Sequence, residues 1–83
     1  SFSVLPLDAK LHPLTEPIVV FRGTMDATTV HPREVFQEAI RWGAYAIMVA
    51  HNHPSGDPTP SAQDVELTRK LVEVSRIMAI FFI

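Results

Sequence analysis

His51, His53, Ser61 and Asp64 fall within one polar, proline-bounded stretch, "HNHPSGDPTPSAQD". In a β-strand, residues i and i+2 point to the same face, so two imidazoles at 51 and 53 project together. The turn that follows contains Gly56 for an unusual backbone angle, and Pro54, Pro58 and Pro60 to limit loop entropy. Such a stiff loop returns the chain to the same region of space. Asp64, in the first turn of the next helix, then faces the two rings. Two imidazole nitrogens and one carboxylate oxygen form a three-ligand set suited to zinc, with a fourth position open. An open position holds a water whose pKa the metal lowers toward about 7, the arrangement of a hydrolase rather than a closed structural site.

Each feature also has a plainer reading. A lone His-x-His is often just two polar residues at a strand end. Ser61 and Asp64, three apart, match a helix N-cap and the third position of a capping box. Prolines near a helix start are commonly punctuation. The conjunction of all four positions favours the metal. A purely structural metal is the third option, and three protein ligands rather than four argue against it.

The elements that must hold these residues alternate along the chain. "FSVLPL" (2–7) reads as a strand, with Pro6 predicting an edge or irregular one. Residues 8–17 form a polar turn region. "IVVFRGT" (18–24) is a second strand, rich in β-branched residues. Pro32 suits the first turn of a helix over "PREVFQEAIRW", with Val35, Phe36, Ala39, Ile40 and Trp42 mainly on one side and Gly43 as the stop. "AYAIMVA" (44–50) is a short apolar run of the kind found in a central strand covered on both faces. A second helix opens at Ser61 with Val65, Thr68, Leu71, Val72 and Ser75 as its inner stripe. "IMAIFFI" (77–83) reads as a last strand.

Eighty-three residues allow one domain at most, and at that size a core is marginal. There is no cysteine, so neither a disulfide nor a thiolate metal site exists. Apolar residues make up 47% of the chain, ample for a core. A formal charge of −2 gives no global attraction to nucleic acid or an anionic membrane. No apolar run approaches the roughly 18–20 residues that span a bilayer. The opening "SFSVLPLD" lacks the basic flank and cleavage site of a signal peptide, so the expected location is cytoplasmic. The apolar close "IFFI" suggests a fragment whose remaining strands lie beyond it. If exposed, such an end and unclosed strand edges favour homo-oligomers.

The stretch "HNHPSGDPTPSAQD" fits the H-x-H-x(7)-S-x-x-D signature and resembles the JAMM (MPN+) metalloprotease superfamily. Residues 18 to about 79 are similar to the bacterial RadC family in particular. The resemblance implies an α/β fold of cytidine-deaminase-like (JAB/MPN) layout, a mixed β-sheet flanked by helices. The chain 1–83 would be a single domain of this type, truncated at both ends. It implies one zinc ion per chain on His51, His53 and Asp64, and a tetrahedral intermediate stabilised by Ser61. The implied reaction is attack of a metal-activated water on a peptide or isopeptide-like amide of an unidentified protein substrate. The family's general base is a glutamate just before a strand like 2–7, hence at or before residue 1. Glu16, Glu34, Glu38 and Glu66 do not take over that role. The alternative is a DNA-repair-associated module, whose nucleic-acid contacts would come from regions outside these residues. Deaminase chemistry, which needs cysteine ligands, has no support. His12, His31, Arg22, Trp42 and Tyr45 read as turn or packing residues. Arg33, Arg69 and Lys70 form no dense basic patch.

Overall fold

The computed structural model describes residues 1–22, 30–51 and 62–83. Six elements follow in order: β1 (Phe2–Leu7), β2 (Ile18–Phe21), α1 (Pro32–Arg41), β3 (Ala46–His51), α2 (Ala62–Met78) and β4 (Phe81–Phe82). The strands form one mixed sheet in the order β2-β1-β3-β4. β1 is antiparallel to both neighbours, and β3 and β4 are parallel. This is the α/β architecture expected, a mixed sheet with helices.

Alternation along the paired strands sorts their side chains. Phe2, Val4 and Pro6 lie opposite His51, Val49 and Ile47, so all six share a face. Phe2, Val4 and Ile47 on that face join Val30, Val35, Phe36 and Ala39 from the α1 region, Leu67 and Leu71 from α2, and Ile80, in one core. Both helices therefore contribute to one core on one side of the sheet. The expectation that β3 is covered on both faces needs correcting. On its other face Ala46 is buried but Met48 is 43% exposed, and on the same side of the sheet Val19 of β2 and Phe81 of β4 are also exposed.

Pro6 sits in a strand flanked on both sides, not at an edge. The Pro6 carbonyl accepts from Leu14 N–H at 2.9 Å, on the side of the 8–14 loop. In a strand a residue's N–H and C=O point the same way, so the missing donor also faces that loop. The ladder to β3 loses nothing. Opposite β2, the register shifts between Phe2 and Ser3, which face Phe21 and Val19. Val20 is thus the extra residue of a bulge.

Each helix end has a local cause. His31 is the N-cap of α1: its Nδ1 accepts from Arg33 N–H at 3.1 Å, and Pro32 follows at the first helical position. At the other end Gly43 takes φ +62°, Gly43 N–H donates to Ile40 and Ala44 N–H to Ala39. These two bonds make a Schellman stop. α2 closes in the same way. Ala79 N–H donates to Arg76, Ile80 N–H to Ser75, and Ala79 takes φ +55°. That stop corrects the expectation of a strand over 77–83. The helix runs through Met78, and only Phe81–Phe82 pair with β3. The apolar run at the end of the chain is shared between the last helical turn and a short strand, and periodicity alone does not divide it.

Ile40 and Trp42, expected on the inner side of α1, are 62% and 42% exposed. At about 100° per residue, Ile40 lies roughly 140° round from Val35, and Trp42 is already the C-cap. In the loop after β1, Asp8 Oδ1 accepts the amides of His12 and Lys10, each at 2.9 Å.

Two predictions follow from these turns. An alanine in the left-handed region carries a Cβ penalty that glycine avoids. Ala79→Gly should therefore stabilise the fold by about 0.5–1 kcal/mol in denaturant unfolding, after glycine's extra chain entropy is subtracted. The His12 amide chiefly, with that of Lys10, holds the Asp8 carboxyl below its ordinary 3.8. The loop's stabilisation is present above that value and lost as pH falls through the lower folded value. Amide shifts of Lys10 and His12 should report a titration midpoint below 3.8.

Candidate metal centre

His51 is the last residue of β3, and Asp64 is the third residue of α2. Thirteen positions separate them in sequence, yet His51 Nδ1 lies 2.9 Å from Asp64 Oδ1. Both side chains are largely enclosed, with relative exposures of 16% and 15%. An ionised carboxylate only accepts, so in this contact Nδ1 carries the proton.

Burial of α2 explains how the carboxylate arrives there. Of the stripe expected from sequence, Leu71 and Ser75 pack inward, Val72 is half-buried, and Val65 and Thr68 do not pack. Val65 is 60% exposed, and the buried residues are Leu67, Leu71 and Ser75. Val74 and Met78 flank them against the core. Asp64 stands three residues before Leu67, on the same helical face. Docking Leu67 and Leu71 into the core therefore turns Asp64 inward, toward the end of β3. On the opposite side of α2, Glu66 is engaged with Arg69 at 2.7 Å. That contact, chiefly its hydrogen bond, holds the Glu66 carboxyl below the usual range.

On the strand side, β3 presents His51 on the core face of the sheet, directly opposite Phe2. The two rings stand 6.1 Å apart between centroids, tilted by 49°. Phe2 is a neighbour that sequence reasoning missed. Only the register of β1 against β3 reveals it, and no local signal encodes that register.

The structure thus brings together two of the four residues singled out by spacing. His53 and Ser61 lie outside the described residues, as does the turn between them. Among the described residues no group of three His, Cys, Asp or Glu side chains is gathered as a metal would require. The donor chemistry of the pair nevertheless fits zinc, which takes imidazole nitrogen and carboxylate oxygen at about 2.0–2.2 Å. Tetrahedral bonds of that length put neighbouring donors about 3.4 Å apart. To hold one ion in common, the observed pair would need to open by about 0.5 Å and Nδ1 would need to give up its proton. Of the glutamates weighed as a base, Glu66 engages Arg69 and Glu38 lies 3.8 Å from Arg41. Glu34 lies in the first turn of α1 and Glu16 is exposed in the loop before β2.

A family model described as a RadC-like JAB domain matches residues 1–83. The chain belongs to the RadC-like JAB domain family. Curated relatives agree. A UPF0758 protein of Symbiobacterium thermophilum is 52% identical over 79 residues, covering 95% of this chain and 33% of its own length. A UPF0758 protein of Staphylococcus carnosus is 48% identical over 79 residues, covering 95% and 34%. One from Geobacillus thermodenitrificans is 54% identical over 61 residues, covering 74% and 27%. The chain spans about a third of the length of the first of these relatives. Among the described residues no helix is long and apolar enough to cross a membrane.

The stripe that aims Asp64 can be checked by stability. Leu67→Ala should cost about 2–5 kcal/mol in chemical denaturation, because Leu67 is 2% exposed. Val65→Ser, on the exposed side, should stay within about 0.5 kcal/mol of the parent. Equal costs at the two positions would mean that the inward face of α2 is misassigned.

Proposed function

We propose that this domain is a zinc-dependent hydrolase of the JAMM type, acting on a peptide or isopeptide-like amide. The observation that carries the reading is the 2.9 Å approach of Asp64 to His51, across thirteen residues of sequence, in a largely enclosed position. The H-x-H-x(7)-S-x-x-D spacing and membership of a JAB-type family support it from a separate direction.

His51, His53 and Asp64 would hold the ion, one per chain. Zinc bound there would supply Lewis acidity, polarising a carbonyl and acidifying a water. The remaining steps belong to the protein. Asp64 supplies the anionic donor, and its place on the buried face of α2 fixes where that donor sits. His51, at the end of a paired strand, has its backbone held by the sheet. Ser61, placed by sequence at the start of α2, would donate its hydroxyl proton to the developing oxyanion. No glutamate of the chain is assigned as general base.

Elemental analysis of the purified protein should find about one zinc per chain, and His51→Ala or Asp64→Ala should each abolish it. Full zinc content in both variants would refute the ligand assignment. In the zinc-loaded protein, Ser61→Ala should slow amide hydrolysis by about 10²–10³-fold while leaving zinc content intact. Hydrolysis unchanged in that variant would reduce Ser61 to a helix cap.

A further inference from the structure

We propose that the trough between α1 and α2 is an interface for a second copy of this chain. The described residues that line it include neither His51 nor Asp64, so the inference is independent of the metal centre.

The trough has a volume of about 1100 Å³. α1 presents Arg33, Phe36 and Ile40 to it, and α2 presents Lys70, Glu73 and Val74. Steps of three and four along each helix mark a face of the kind that packs against another helix. Ile77, three residues beyond Val74, continues the α2 row. Phe36 and Val74 are also engaged with the domain's own core. Ile40 and Ile77 are not, at 62% and 80% exposed. A small molecule on the floor of the trough would leave both isoleucines in water. A helical surface laid over it would cover them.

The charges name the occupant. Arg33 and Lys70 share this surface with Glu73. Among the described residues no carboxylate lies within ion-pair distance of either cation. Glu66, one turn before Lys70, is bonded instead to Arg69 at 2.7 Å. A two-fold axis sets the same patch on both sides of an interface. A patch that carries both signs along an apolar seam can meet itself with opposite charges opposed, whereas a wholly basic one would repel its copy. The whole chain carries a formal charge of only −2, so little long-range repulsion opposes the approach of two copies. A standard interface draws on about 20–30 residues a side, more than two turns of two helices provide, so the expected dimer is weak.

The test reads the oligomeric state of the intact chain. Sedimentation from about 5 µM to about 1 mM should take the parent from one chain to two, with a Kd of about 10–100 µM. Ile40→Asp and Ile77→Asp alter side chains already largely in water, so the fold accepts them. Each should weaken association at least about tenfold. Val65→Asp makes a comparable change at an exposed position on the side of α2 opposite Val74, and should keep the parent affinity. The double variant Arg33→Glu, Lys70→Glu makes the three charges of the patch all negative, and Glu73→Lys makes them all positive. Each alone should associate more weakly than the parent, and an equimolar mixture should form a heterodimer tighter than either homodimer. Concentration-dependent amide shifts should fall on residues 33–40 and 70–77. A parent that stays monomeric at the top of the range would overturn the proposal. So would a dimer whose shifts fall instead on Met48 and Phe81, a loss in Val65→Asp equal to that of the isoleucine variants, or a mixture no tighter than its parts.

Discussion

Six consecutive residue pairs join Phe2–Leu7 to Ala46–His51 in antiparallel register, and this pairing holds β1 in the interior of the sheet. Because the side-chain period is two, a slip of one residue would turn one strand over relative to the other, sending either Phe2 and Val4 or Ile47 and the His51 ring to the opposite face. The register is pinned by burial. Val4 and Ile47 are fully enclosed on the helix side, while Met48 is exposed on the other. The same pairing sets Phe2 across from His51. Core formation and site construction thus draw on one set of backbone hydrogen bonds.

Much of this was legible in the residues. The order of strands and helices follows from apolar runs, β-branched content and glycine or proline punctuation. Pro32 and Gly43 bound α1 as expected, and His31, read only as a residue near the helix start, proved to be its cap. The misreadings share a cause: a local pattern has more than one solution until tertiary contacts choose. On α2, the sequence already points Leu71 and Ser75 inward, but at the start of the helix it favours Val65 and Thr68 where Leu67 is the residue that packs. At the end of the chain, a left-handed alanine supplied a helix stop where no glycine marked one. Pro6 was tolerated in an interior strand because the loop after β1, rather than another strand, faces its missing donor.

For the candidate site, spacing identified His51 and Asp64 as partners across a long turn. Side-chain chemistry suffices for that inference because few residue types bind a divalent ion. What spacing did not supply was the support around the donors. Phe2 is neither polar nor near in sequence, and its place beside the His51 ring appears only when the strands are laid side by side. The face of α2 that aims Asp64 likewise depends on which leucines are swallowed by the core.

Leu67, Leu71 and Asp64 occupy a single face of one seventeen-residue helix. Greasy anchors and chemical headgroup are therefore mechanically coupled. A side-chain tip sits about 5–6 Å from the helix axis, so a roll of about 10° sweeps it through on the order of 1 Å. Displacements of that size can cost about a hundredfold in rate when they fall on reacting groups. Volume-neutral exchanges at Leu67 or Leu71 that the fold accepts would still shift the Asp64 carboxylate, making the dry interior itself an adjustment screw for the metal centre proposed at its rim.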